Sequence, residues 1–557
     1  MSDAFAQVSA RRRPRLDAWS VGALAIAALV LVPIVAVFWL AATPTQNIWP
    51  HLIATTLPRY LGNTVVLMSA TGLLAAVLGT GCAWLVAMAD FPGRRWLQHA
   101  LLLPLAIPAY VGAYALVDFL DYAGPVQTAL RDTFGFASAR DYWFPQIRSL
   151  PAAVLVLGLT LYPYVYLLSR AAFAEQSGAG LEVARALGAG PWRRFAAVGL
   201  PLARPAVVAG VAVVMMETVN DFGVVDYFGV QTLTTGIFSV WLSGGNAGGA
   251  AQIACVILVL IAGLVAIERA SRRRRRYWQA TRAQRPPTRT RLRGGRAAAA
   301  CLACLAPVLL GFAFPIAVMA ANARRAEAWL APGLVEAMVN TLLAAGTAAF
   351  VTVGLALFMV YGVRLAGRRL PRLLLPFTTV GYAAPGAVLG LGVLIPMAAL
   401  DNRAADAVLA VTGWDPGLVL TGSAAALIYA YCVRFFAIGQ GAADAALGRI
   451  PPSLPMAARS LGRGPGGVLW RVHLPLMRRS IAVAVLLVFV DAVKELPATL
   501  LLRPFGFDTL ATRVHDQASL ERLEQAAPAA LVIVAVGLAA TLLLARGEEA
   551  RQARAPL

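Results

Sequence analysis

Lysine is almost missing from this chain of 557 residues: it occurs once, at Lys494, and every other one of the 48 basic residues is arginine. That scarcity excludes a P-loop, which needs a lysine directly after a glycine-rich turn to hold the β- and γ-phosphates. Lys494 follows Val493 with no such turn before it. If ATP drives this protein, the ATPase is another polypeptide, and the chain needs no cofactor of its own. Cysteine is also sparse. Cys82, Cys255, Cys301, Cys304 and Cys432 all lie in or beside apolar runs, so no disulfide framework is indicated. Cys301 and Cys304 form a C-x-x-C without a matching pair and read as small packing residues, not as a metal or redox site. The four histidines, His51, His99, His473 and His515, are scattered, and no H-E-x-x-H or G-x-S-x-G is present. Catalysis within this chain is therefore disfavoured.

Apolar residues fill the space. The chain is 59% hydrophobic with only 13% charged residues, which describes an all-α polytopic membrane protein and not a soluble one. Net charge is +21. The arginines cluster in loops between apolar runs, as the positive-inside rule requires, so the charge points to the membrane surface and its lipids and not to nucleic acid. About twelve spans are expected: 19–42, 63–89, 96–120, 151–170, 202–220, 247–268, 297–321, 338–362, 371–398, 415–436, 478–499 and 526–545. The basic loops fall on one side, and the even count places both termini there, in the cytoplasm. Arg11, Arg12, Arg13 and Arg15 introduce the first span, which lacks a cleavage site and is kept as a membrane helix.

The sequence repeats itself. Residues 182–201, EVARALGAGPWRRFAAVGLP, align with 456–475, MAARSLGRGPGGVLWRVHLP. Asn63-Thr64 recurs as Asn340-Thr341, and Leu-Leu-Leu-Pro at 101–104 recurs at 373–376. These matches divide the chain into a first half at 1–268, a basic linker at 269–296 and a second half at 297–557. Each half has six spans entering from the same side, a parallel duplication with a pathway between the halves. Each repeated segment reads as a short helix of about 181–188 or 455–462. Gly188 or Gly462 ends it in the left-handed conformation, and Gly-Pro forbids its continuation.

The segments resemble the EAA loops of ABC importer permeases. Glu182, Ala184, Gly188, Val198, Leu200 and Pro201 fit that pattern, and so do Ala457, Ala458, Gly462, Val472, Leu474 and Pro475, with Met456 in place of the second glutamate. The resemblance implies a type I importer fold and a coupling helix in each segment that docks on an ATP-binding subunit. Two segments in one chain imply a fused permease, two copies of that subunit with their ATP and Mg, and a periplasmic substrate-binding protein. The missing glutamate implies that the two contacts are unequal.

Two further stretches, METVNDFGVVDYFGVQTLTTGIF at 216–238 and VDAVKELPATLLLRPFGFDTLATRVH at 490–515, follow the repeated segments. Glu217 and Asp221 share a helical face, as do Asp491 and Glu495. Acids in membrane spans are costly and usually face a bundle interior or an aqueous path. These four, with Lys494 beside them, are the candidate translocation path, and their hard oxygens suit a hard cation held in passing, with no fixed metal site. Lys494 and Arg503 are candidate partners that would pair Asp491 or Glu495 structurally. Both stretches resemble fused permeases of bacterial ferric-iron importers, which implies ferric ion as cargo. Related permeases imply thiamine, polyamines, sulfate or phosphonates as alternatives. Tyr227, Phe228 and Phe505 are candidate anchors for the binding protein on the outer loops 221–246 and 500–525. The rival class is an ion-gradient-driven transporter, which also uses twelve spans and intramembrane acids.

Overall fold

The computed structural model describes residues 18–176, 178–273, 288–366, 369–379, 381 and 384–552. The N-terminal arginines, the arginine run of the linker beyond Arg273 and the last five residues lie outside the described residues. Among the described residues the fold is almost wholly helical; the one sheet is a two-residue parallel pairing of Ala89–Asp90 with Thr290–Arg291.

Among the described residues, ten helices are long and apolar enough to cross a bilayer: Ala18–Ala42, Leu57–Met88, Leu150–Ala174, Pro191–Asn220, Ala247–Ala270, Gly295–Asn322, Leu334–Leu365, Gly386–Thr412, Ala425–Gly448 and Leu523–Leu543. The two remaining expected spans take other forms. The third, Arg94–Ala106 with Ala109–Phe134, is bent by 89°. Pro108 stands at the break: it lacks an N–H, and Ile107 before it is extended at φ −98° and ψ 125°, so the short 3-10 helix Leu103–Ala106 ends there. The eleventh, Leu474–Val493, carries Arg478, Arg479 and Asp491 and is for that reason too polar to qualify on composition. The ninth begins with its own break. The helix Arg369–Thr378 ends before Pro385, which caps Gly386–Thr412.

The internal duplication is visible atom by atom. Asn63 Nδ2 donates to the Gln231 carbonyl at 2.8 Å, and Asn340 Nδ2 to the Asp508 carbonyl at 3.1 Å, both across 168 residues. Thr64 Oγ1 accepts from Leu233 N–H at 3.0 Å and Thr341 Oγ1 from Leu510 N–H at 2.8 Å, both across 169 residues. Each bond anchors a short helix opened by a capping box, Thr232 with Thr235 in one case and Thr509 with Thr512 in the other. The Asn-Thr pair noted in the sequence therefore ties each short capped helix to the second helix of its half.

The halves also exchange their leading helices. The first span packs on the eighth and ninth as well as on the sixth of its own half, with Trp19 stacked on Phe358 at 4.8 Å and Gly392 leaving room for the Pro33 carbonyl. The seventh packs on the third and fourth, where Gly311 lies against the Leu159 carbonyl. Replacing Thr64 or Thr341 by valine keeps the shape but strands a buried N–H. The expected cost is about 1–3 kcal/mol at each site. Thermal melting of the two variants in detergent should show similar falls; an unchanged midpoint in either would remove that bond from the framework.

Candidate functional site

The two repeated segments share one backbone. The first is a helix Gly178–Ala186, and the second is Ser453–Ser460, each ending two residues earlier than the sequence suggests. Gly188 and Gly462 both sit at φ +79°. Gly188 N–H bonds the Arg185 carbonyl and Ala189 N–H the Ala184 carbonyl; Gly462 and Arg463 bond Arg459 and Ala458 in the same pattern. This is the paired closure of a Schellman motif, so Ala184 and Ala458 supply equivalent carbonyls. Among the described residues a Cβ at either glycine would meet nothing within 4 Å, so the glycines serve conformation and not space. Gly190 and Gly464 then cap Pro191–Arg194 and Pro465–Val468, and a π-turn leads to Leu200-Pro201 and Leu474-Pro475 at the start of the membrane helices. Leu187, Trp192, Leu461 and Trp470 are all more than 70% exposed, an apolar surface on segments that otherwise face solvent. Glu182 is exposed beside them.

The surroundings differ. Linker residues Thr288, Thr290 and Leu292 lie against Leu181, Glu182 and Arg185 around a cavity of about 120 Å³ beside the first segment. The second is held by Tyr361, whose hydroxyl donates to the Pro465 carbonyl at 2.7 Å.

Between the halves lies a cavity of about 140 Å³. Glu217, Asp221, Asp491, Lys494 and Glu495 all line it, so the structure brings together the five residues that the sequence singled out from two distant stretches. Asp221 Oδ1 accepts from Val224 N–H at 3.0 Å, and Glu495 Oε1 from Ala498 N–H at 3.1 Å, each closing the start of the next short helix. Lys494 Nζ pairs with Asp491 at 2.9 Å. Glu495 pairs not with Arg503 but with Arg434 of the tenth span, at 3.0 Å, with both side chains at or below 10% exposure. Arg503 lies elsewhere, on Asp508 and Asp516. A Cβ at Gly386 would collide with the Glu495 carboxylate, so the break before the ninth span makes room for this ion pair. Among the described residues, no three His, Cys, Asp or Glu side chains converge as a ready metal cage.

Arg434 is the residue that sequence reading missed, although an arginine inside an apolar run is itself a signal. Its place in the first half is taken by Thr160. Both stand six residues before a matched pair, Tyr166 and Gln440, whose side chains bond the carbonyls of Gln98 and Leu375. Tyr227 and Phe228 are buried, at 8% and 3% exposure, and are not surface anchors; Phe505 is fully exposed. His515 joins the halves instead, contacting Tyr114 at 3.1 Å and Asp226 at 3.9 Å. Ion pairs from Arg148 to Asp121 and Glu521 join the same end.

Two helical halves, exchanged leading helices, a charged cavity at their interface and paired exposed handles at one end define a membrane permease. The chain belongs to the family of binding-protein-dependent transport system inner membrane components, whose model matches residues 75–277. It is 25% identical over 493 residues to an "Fe(3+)-transport system permease protein" of Haemophilus influenzae, covering 85% of this chain and 87% of that protein. It is 30% identical over 202 residues to a "Molybdenum transport system permease protein" of Azotobacter vinelandii, covering 33% of this chain and 84% of that one. A "Putative 2-aminoethylphosphonate transport system permease protein" of Salmonella paratyphi A is 28% identical over 199 residues, 35% of this chain and 67% of that protein. The protein is thus a multi-pass inner-membrane permease of a binding-protein-dependent ABC importer.

Arg434→Met should leave Glu495 buried without its cation, at a cost of about 3–5 kcal/mol. Adding Glu495→Gln should restore most of that loss. A thermal-melt double-mutant cycle checks the pairing, and a double variant no more stable than the single one would contradict it.

Proposed function

We propose that this permease imports a cation, ferric ion, through the cavity between its halves. The observation that carries this reading is the charge of the cavity wall. Four carboxylates face two cations there, leaving two negative charges in excess when all six groups are ionised. At ~7 Å and an effective dielectric of ~20, each unit pair is worth about 2 kcal/mol, so a trivalent cation is drawn in and a dianion such as an oxyanion is repelled several-fold over. The long match to a ferric-iron permease supports the same cargo, while the molybdenum and phosphonate matches extend over only a third of the chain.

Two copies of a separate ATP-binding subunit, carrying ATP and Mg, would dock on segments 182–201 and 456–475, where Leu187, Trp192, Leu461 and Trp470 offer apolar contacts. Both termini would lie on that cytoplasmic side. A periplasmic binding protein would load the other end, where Phe505 protrudes. The division at 269–296 would make each half one subunit's worth of permease. The chain itself performs no hydrolysis. Closure of the ATPase pair moves both segments and, through the π-turns, the fifth and eleventh spans, which carry Glu217 and Asp491 and lead directly into Asp221 and Glu495.

Uptake of radiolabelled ferric ion into proteoliposomes tests this, with the ATPase and ATP inside and the binding protein outside. Import should need all three components. Glu217→Gln with Asp221→Asn leaves the Arg434–Glu495 and Lys494–Asp491 pairs in place and should lower uptake tenfold or more; full uptake would remove these acids from the path. In a separate pair, Gly188→Val with Gly462→Val forces a β-branched residue to positive φ at about 1–2 kcal/mol each. Binding-protein-stimulated ATP hydrolysis should fall with import in that variant. Import without any ATP would instead support a gradient-driven transporter.

A further inference from the structure

The four acids do not by themselves make a holding site. Asp491 and Glu495 are engaged by Lys494 and Arg434, and no carboxylate cage is preformed among the described residues. The same cavity, however, is lined by two polar side chains that the charge pattern did not reveal. Tyr110 and Asn220 are each only 4% exposed, and the Tyr110 hydroxyl and Asn220 Oδ1 have no hydrogen-bond partner among the described residues. Orphaned buried oxygens cost about 1–3 kcal/mol each, so two in one charged cavity call for a ligand.

Their placement is built. Tyr110 opens the helix after the proline break of the third span. Gly223 lies against its ring, where a Cβ would come within 2.8 Å of Tyr110 Cβ. Gly223 stands two residues after Asp221, so the ring is seated on the same turn that presents Asp221 and Asn220. A phenol oxygen, an amide oxygen and a carboxylate then converge on one cavity from the first half, while the second half contributes its carboxylates already paired with cations.

We propose that Tyr110 and Asn220, with Asp221, form a transient oxygen site for ferric ion in this cavity, Tyr110 binding as phenolate. This rests on the ferric reading above and names the ligands for it. Hard trivalent ions favour anionic oxygen, and a phenolate discriminates ferric from divalent ions more strongly than a carboxylate does. On binding, the Tyr110 O–H bond breaks, an O–Fe bond forms, and the proton passes to a cavity carboxylate. The iron stays ferric. Asn220 adds a neutral carbonyl oxygen, and release toward the other end reprotonates Tyr110.

Ferric phenolates absorb visible light, which permits a test independent of transport. Ferric nitrilotriacetate would be titrated into the detergent-purified complex of this chain with its ATPase. Wild-type protein should develop a phenolate-to-iron charge-transfer band. Tyr110→Phe should lose it. Tyr114→Phe, one turn on with its hydroxyl on His515, should keep it, and Asn220→Ala should keep it with at least several-fold weaker iron affinity. Resonance Raman on the wild type reads the same point without any variant, through enhanced phenolate modes. Absence of the band or of those modes in wild type, or persistence of the band in Tyr110→Phe, overturns the assignment. Ferric uptake that needs all three components but proceeds without the band would keep the ferric reading and discard Tyr110. Absent ferric uptake would discard the ferric reading itself.

Discussion

Backbone that leaves the helical path at membrane depth must find its hydrogen-bond partners inside the protein, since lipid offers none. Much of this structure answers that demand. The third and ninth spans break at prolines, and the chain folds back in short helices after the fifth and eleventh. The stretches after the fifth and eleventh are closed by side chains: Asp221 and Glu495 at the starts of the short helices, Thr64 and Thr341 beneath the capping boxes, Asn63 and Asn340 on the neighbouring carbonyls. Acids sit in the membrane here partly because broken backbone needs acceptors, and the same breaks open the space that the acids line.

That double role explains why the two halves diverge where they do. The framework bonds repeat almost atom for atom, because a lost acceptor strands a buried N–H in either half. The cavity wall is freer. Arg434 stands where the first half has Thr160, and Lys494 has no counterpart beside Asp221, where Asn220 precedes it. Both cations therefore belong to the second half. The second half presents its carboxylates in ion pairs with Arg434 and Lys494, the first half presents Asp221 on backbone N–H groups, and the cavity is asymmetric across the pseudo-symmetry axis.

Residues whose role is local were legible in the sequence. Gly188 and Gly462 declare a left-handed turn because no other residue adopts it cheaply, and the structure shows nothing else that would require glycine there. Asn63-Thr64 was visible as a repeat, though its partners 168 and 169 residues away were not. The acids stood out because charge in an apolar run is rare. What stayed hidden depends on long-range pairing. Glu495 chooses Arg434 over the nearer Arg503, which the outer loop claims for Asp508 and Asp516. Tyr227 and Phe228 read as surface aromatics but are buried, with Tyr227 edge-on to Tyr114 at 4.4 Å. Tyr110 and Asn220 are ordinary in composition and became notable only through the partners they lack.

The exchange of leading helices bears on what the basic linker is for. The first span lies on the second half, and the seventh on the first, so the halves are clasped whether or not a peptide joins them. A covalent tether adds little cohesion to such an interlock. Its contribution is to composition: one first half is always delivered with one second half, and a pore of two identical first halves, with no Arg434 or Lys494 to neutralise its acids, is never assembled.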